Sequence, residues 1–100
     1  TVVETLDQSR LSHDLGLGGW SQTVAYGPGA AMGLHLAACM PNLTQPYDMV
    51  GPIAWQNDLT VEKFEFENGS FKVPDRPGLG FTLNQDAVSA YTIEEKVLKL

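Results

Sequence analysis

Gly29-Ala30-Ala31-Met32-Gly33-Leu34-His35-Leu36-Ala37-Ala38-Cys39-Met40-Pro41-Asn42 is the stretch on which the fold turns. From Ala30 to Met40 it is built of Ala, Leu, Met and other helix-compatible residues, and His35 is its one polar side chain. Pro41-Asn42 ends it. A surface helix shows a polar face, so a helix that is apolar all round has to be covered on every side. In 100 residues with few other long apolar segments, the covering material is scarce. The spacing therefore predicts a helix packed against something beyond its immediate neighbours.

Working upstream, Gly27-Pro28-Gly29 punctuates a loop running from Thr23 to Gly29. Leu17 to Gln22 reads as a short strand weakened by two glycines. Residues 4 to 15 read as a helix, with Leu6, Leu11 and Leu15 at roughly helical spacing and Gly16 at the C′ position. The opening Thr1-Val2-Val3-Glu4 shows neither an initiator methionine nor an approach that caps that helix, which fits a chain beginning in mid-protein.

Downstream, Gln45 to Val50 is predicted as a second strand, parallel to the first across the helix in a right-handed βαβ unit. From about residue 60 the pattern changes. Phe64-Glu65-Phe66-Glu67 alternates with period two, Asn68-Gly69 is a hairpin turn, and Phe71-Lys72-Val73 returns. Pro74 to Gly80 is a loop and Phe81-Thr82-Leu83 a short strand. Asn84 caps a last helix through about Ala90, with Asp86 in its first turn. The charged, amphipathic tail from Glu94 to Leu100 has no assigned place.

Composition narrows the function classes. The chain is 43% hydrophobic and 18% charged, ordinary globular values. A net charge of −6 with six scattered Lys and Arg argues against a nucleic-acid binder. There is no run of 18 apolar residues and no signal-like start, so neither a membrane partner nor secretion is expected. The single Cys39 excludes an internal disulfide and points to a reducing, cytoplasmic setting. In that setting the triplets Asn42-Leu43-Thr44 and Asn68-Gly69-Ser70 are chance matches to the glycosylation pattern.

Three constellations invite a chemical reading. Gly27 to Gly33 at a helix start looks like a phosphate loop, but it has neither the dinucleotide spacing nor the Lys-Ser/Thr of a nucleoside-triphosphate loop, and tight packing is the favoured role. His35 and Cys39, four apart on one helix face, have the spacing of a zinc pair without a third or fourth ligand nearby. A buried His35 bonded to backbone is the favoured reading. Asp48, between Tyr47 and Met49 at a predicted strand end, is a carboxylate in a partly apolar setting, which suits a solvated loop residue as well as an active one.

Taken together, the segments resemble the mandelate racemase and muconate-lactonizing family of the enolase superfamily. Ser12-His13-Asp14-Leu15-Gly16-Leu17 is similar to that family's A-H-x-x-G-I/L helix end before the seventh barrel strand. Gly29 to Asn42 is similar to its G-x-A-A-S-x-H-L-A-A-A-x-P-N helix between strands seven and eight. Asn68 to Pro74, Asp75 to Gly80 and Asp86-Ala87-Val88 through Tyr91 are similar to its closing D/N-G-x-x-x-V-P-x-x-P-G-L-G and A-x-x-x-Y pattern. Three motifs in the right order are far more specific than any one.

The resemblance implies an α/β fold: the C-terminal part of a (β/α)₈ TIM-type barrel. Residues 1–58 would form the last one or two βα units. Residues 59–100 would form a β-hairpin and short helix that pack on the barrel and return to an N-terminal capping domain. It implies a complete enzyme several times this length, of which this chain is the C-terminal quarter and is inactive alone. The implied reaction is abstraction of a proton alpha to the carboxylate of a small substrate, as a racemase, epimerase or dehydratase. Mg²⁺ would steady the enediolate, held by ligands on strands that this chain does not include. The implied partners are the remaining barrel and cap and a homo-oligomer of the full-length enzyme.

Two residues carry over. Counting back from His35 puts Gln22 at the end of strand seven, where racemase-like members have a catalytic His. Gln cannot take a proton at neutral pH, which tells against a racemase relying on that base, but it can hydrogen-bond a substrate oxygen. Asp48 falls six positions after Asn42, where the family usually has an acidic residue at the end of strand eight. Its implied role is acid or hydrogen-bond donor to the enediolate. The contrasting reading is a small self-contained binding domain, which requires that Ala30 to Met40 be fully covered by the chain's own residues.

Overall fold

The computed structural model describes residues 1–54 and 57–96. Helix α1 (Val2–Asp14) opens the chain, and Thr1 caps it. The Thr1 hydroxyl accepts from the Glu4 amide, and Glu4 Oε2 accepts from the Thr1 nitrogen at 2.6 Å. This is a reciprocal capping box, so the expectation of an uncapped helix starting at Glu4 is corrected.

Strands β1 (Gln22–Thr23) and β2 (Asp48–Met49) pair in parallel, with Gln22 opposite Asp48 and Thr23 opposite Met49. A bridge between Gly19 and Leu43 extends the ladder. Helix α2 (Gly27–Cys39) crosses between them, completing a βαβ unit. Both strands are shorter than predicted. Gly27-Pro28-Gly29, expected as loop, lies inside the first turn of α2, where proline has no helical hydrogen bond to lose.

A single turn, α3 (Gly51–Ala54), follows β2 and was not foreseen. The hairpin β3 (Phe66–Glu67) and β4 (Ser70–Phe71) closes through Asn68 and Gly69, both at positive φ (50° and 80°), as a primed two-residue turn requires. Phe81 to Leu83 supplies only an antiparallel bridge from Leu83 to Thr60 rather than a strand of its own. Helix α4 (Gln85–Tyr91) begins where Asn84 accepts from the Ala87 amide at 3.1 Å. Of the unplaced tail, residues 97–100 lie outside the described residues.

The core is small. Ala30 and Leu34 of α2 meet Met49 of β2, flanked by Tyr47, Phe64 and Phe71. Phe64 stacks on Phe81 at 4.3 Å between ring centroids, which ties the C-terminal segment to this core. Among the described residues no large side chain is completely buried. The accessible surface is 7594 Å², where about 5,600 Å² is normal for a compact monomer of 10.9 kDa. The radius of gyration is 15.4 Å against about 13 Å for a compact hundred residues.

Exposed apolar side chains occur along the whole chain, from Val2 and Leu11 to Tyr91 and Ile93, and two groups of them border the βαβ unit. Val24 is 58% exposed and Trp20 58%, both at even positions with Gln22, on the sheet face away from α2. On α2 itself, Ala30, Ala31, Leu34 and Ala37 are buried, but Met32 is 46% exposed and Ala38 and Cys39 are also open. The chain thus covers one side of its apolar helix fully and the other only in part, leaving Met32, Ala38 and Cys39 open, and it leaves exposed residues on the inner face of a parallel pair of the kind normally buried on both sides.

Candidate functional site at the strand ends

Gln22 and Asp48 stand side by side on adjacent parallel strands, both pointing away from α2. The Gln22 amide Nε2 donates to Asp48 Oδ2 at 3.0 Å. The two residues singled out separately in the sequence are therefore one hydrogen-bonded pair. Asp48 is half-buried and Gln22 exposed. A pocket of about 370 Å³ borders Asp48 along β2, walled by Val50, Ile53, Ala54, Phe66 and Phe71. A carboxylate held by a neutral amide, next to apolar side chains, is suited to accept or donate a proton or hydrogen bond at a ligand oxygen.

Behind the pair the sheet is braced against α2. The Tyr47 hydroxyl and the Thr23 methyl both lie against the space beside Gly33 of α2. Burial raises the Tyr47 hydroxyl above its usual range, and the neighbouring Thr23 side chain partly offsets this. A Cβ added at Gly33 would collide with the Tyr47 hydroxyl, so glycine is what admits the tyrosine there. Sequence reasoning did not single out Thr23 or Tyr47. The available signal was their position, one residue beyond Gln22 and one before Asp48, hence on the opposite face.

The other constellations resolve as structure. The Gly27 amide at the head of α2 donates to Asp58 Oδ1, so the helix N-terminus is occupied by the chain's own carboxylate. Asp58 also accepts from the Leu59 amide at 2.7 Å. His35 Nε2 lies 3.0 Å from the Leu79 carbonyl. Since a carbonyl only accepts, that nitrogen carries the proton. His35 is half-buried rather than buried, and Cys39 is exposed. Asn42 is buried and its Oδ1 accepts from the buried Ser9 hydroxyl, which leaves no room for a glycan.

Glu62 anchors the Pro74 to Gly80 loop. Its carboxylate accepts from the Thr82 amide at 2.7 Å and hydroxyl at 2.9 Å and pairs with Arg76 at 2.9 Å. The Thr82 amide, above all, holds Glu62 below its ordinary value of 4.5. Among the described residues, no three His, Cys, Asp or Glu side chains gather to hold a metal ion.

Residues 2–87 match the family model described as "Enolase C-terminal domain-like". The chain belongs to this family. Muconate cycloisomerase 1 of Rhodococcus opacus is 33% identical over 64 residues, covering 64% of this chain and 17% of that protein. D-xylonate dehydratase of Haloferax volcanii is 37% identical over 71 residues, covering 70% of this chain and again 17% of the relative. An isomerase from Streptomyces coelicolor superposes with a TM-score of 0.79 at 25% identity, over 90% of this chain and 24% of that structure. A muconate lactonizing enzyme from Klebsiella pneumoniae gives 0.72 at 25%, over 86% and 24%.

The chain thus spans between a sixth and a quarter of the relatives it matches. The fold class follows: this enolase-type segment is the C-terminal part of a TIM-type barrel, with β1 and β2 as neighbouring barrel strands. Its curated relatives are enzymes, cycloisomerases and a dehydratase. No helix among the described residues is long and apolar enough to cross a membrane.

Proposed function

We propose that the full-length protein abstracts a proton alpha to the carboxylate of a small substrate, as a cycloisomerase, dehydratase, racemase or epimerase, and that Gln22 and Asp48 line its pocket. The observation that carries this reading is their 3.0 Å pairing at the ends of adjacent parallel strands, where barrel enzymes keep their chemistry. The muconate and D-xylonate of the relatives' names are both carboxylates.

In this scheme the Gln22 amide holds one Asp48 oxygen and leaves the other for the ligand. Gln22 takes no proton. Asp48 gives a proton or hydrogen bond to the oxygen on which charge develops. Mg²⁺, held by strands other than these, supplies the charge neutralisation that a carbon acid beside a carboxylate needs. The remaining barrel and cap are the partners that close the exposed inner face, in a cytoplasmic homo-oligomer. The contrasting reading, a self-contained binding domain, has the half-bare helix α2 against it.

The test is deuterium incorporation from D₂O, with Mg²⁺, into remaining substrate or into the lactone or keto-acid product, using the full-length protein and a panel of muconate, chloromuconate, D-xylonate and simple hydroxy and amino carboxylates. Exchange with at least one member, abolished by chelation, is expected. The isolated 100 residues should exchange none. A full-length protein inert to the whole panel, or equally active without metal, contradicts the proposal.

A further inference from the structure

We infer that Asn68 is a site of spontaneous modification: its side chain closes onto the Gly69 nitrogen, and the ring reopens to an isoaspartyl residue that undoes the β3–β4 hairpin. Asparagine is a heat-labile residue, and this reaction needs an unbonded amide followed by a residue without a side chain. Of the four asparagines, three are held and precede a residue that bears a side chain. Asn42 Oδ1 accepts from the Ser9 hydroxyl, Asn57 Nδ2 donates to the Tyr91 hydroxyl at 3.3 Å, and Asn84 Oδ1 accepts from the Ala87 amide at 3.1 Å. Asn68 is exposed, precedes Gly69, and has no such partner among the described residues. Apart from its chain neighbours, no atom lies within 4 Å of where a Cβ on Gly69 would sit, so the approach to its nitrogen is open.

The step balances with water alone. Solvent base takes the Gly69 N–H proton, the nitrogen bonds to Asn68 Cγ, the Cγ–Nδ2 bond breaks, and ammonia leaves. Water then adds to the cyclic imide. Breaking the new Cγ–N bond gives aspartate. Breaking the backbone C–N bond gives isoaspartate, whose main chain runs through Cβ. The attack needs Asn68 ψ to swing out of the turn, and the ladder that resists this is short. Each strand has two residues, Glu67 to Ser70 are exposed, and the Lys72–Glu65 ion pair at 3.2 Å has both side chains in solvent.

Isoaspartate lengthens the turn by one main-chain atom and adds a negative charge beside Glu67. A primed turn of two residues fixes the register that sets Phe66 opposite Phe71. Their rings, 4.8 Å apart, wall the pocket beside Asp48. Phe71 is also packed against the core cluster, whereas Phe66 is 55% exposed and depends on the hairpin for its place. The modification therefore releases Phe66 from that wall. Its effect on turnover rests on reading Asp48 as a site residue; the chemistry and the loss of register do not.

The experiment holds full-length protein in mildly alkaline buffer and reads peptide maps by mass spectrometry, with isoaspartate counted by enzymatic methylation of its carboxylate. Asn68 should convert, with isoaspartate exceeding aspartate, while Asn42, Asn57 and Asn84 stay amides. The modified fraction is separated by its extra charge. In hydrogen exchange, its Lys72 amide, bonded to the Glu65 carbonyl at 3.0 Å before modification, should lose protection. Asn68→Gly keeps a turn-forming pair without the amide, and treated the same way it should retain that protection. On the carboxylate panel the modified fraction should show KM raised about fivefold, the worth of one aromatic contact, and the treated Asn68→Gly should not.

Asn68 converting no faster than the other three asparagines overturns the proposal. Conversion with Lys72 protection intact overturns the loss of register. An unchanged KM in a fraction that has lost that protection overturns the role of Phe66 in the pocket wall. A full-length protein inert on the whole panel strikes the proposed function, while mass and exchange still decide the modification.

Discussion

Asp48→Asn separates shape from charge at the candidate site. The amide is nearly isosteric with the carboxylate, and turned with its oxygen toward Gln22 it still accepts the bond now seen at 3.0 Å. What it loses is the negative charge and the ability to hold or release a proton. Removing a positioned acid or base typically slows a reaction about 10²–10⁴-fold, or roughly 2.7–5.5 kcal/mol on the barrier. Asp48 is half-buried, with one oxygen already held by a neutral donor. The expectation is therefore the lower end of that range, about a hundredfold in kcat, with KM little changed because the interaction strengthens in the transition state. Steady-state turnover of the full-length variant on its best carboxylate is the assay. A kcat within twofold of wild type would show that Asp48 is scaffold and refute the assignment.

Two further outcomes follow from the bonds around the site. Asp58→Ala removes the carboxylate that caps α2 from outside, and hydrogen exchange of the first α2 amides should show their opening free energy reduced by about 1–2 kcal/mol, with Asp58→Asn losing much less. Glu62 is held below 4.5 chiefly by the Thr82 amide. A depressed carboxylate stabilises fully above its ordinary value and loses that contribution as pH falls through the folded one. Protection of the Thr82 amide should therefore decline on acidification below about 4.5, and Glu62→Gln should show a flat profile over the same window.

What the sequence disclosed is what local chemistry dictates. The apolar run of α2, the Asn68-Gly69 turn and the Asn84 cap are each decided by a few adjacent residues, and each stands in the structure. Gln22 and Asp48 were reachable because motif spacing carries strand ends with it. The Thr1–Glu4 capping box was equally legible as Thr-x-x-Glu and was overlooked by starting the helix at Glu4. Gly27-Pro28-Gly29 misled because the same residues that break a helix also open one.

Other features lay beyond local reading. Asp58 reaches Gly27 across 31 positions, and Ser9 reaches Asn42 across 33. Such partners are set by tertiary packing, and nothing in the flanking residues announces them.

Hydrogen exchange on the isolated 100 residues, with sedimentation run in parallel, tests most directly whether this segment is an arc of a larger wall. Strand amides such as Asp48 and Val50 should exchange nearly as fast as in an unfolded peptide, and the chain should self-associate or bind a hydrophobic dye through its bare faces. A monodisperse species of about 13 Å radius of gyration with slowly exchanging strands would contradict the account.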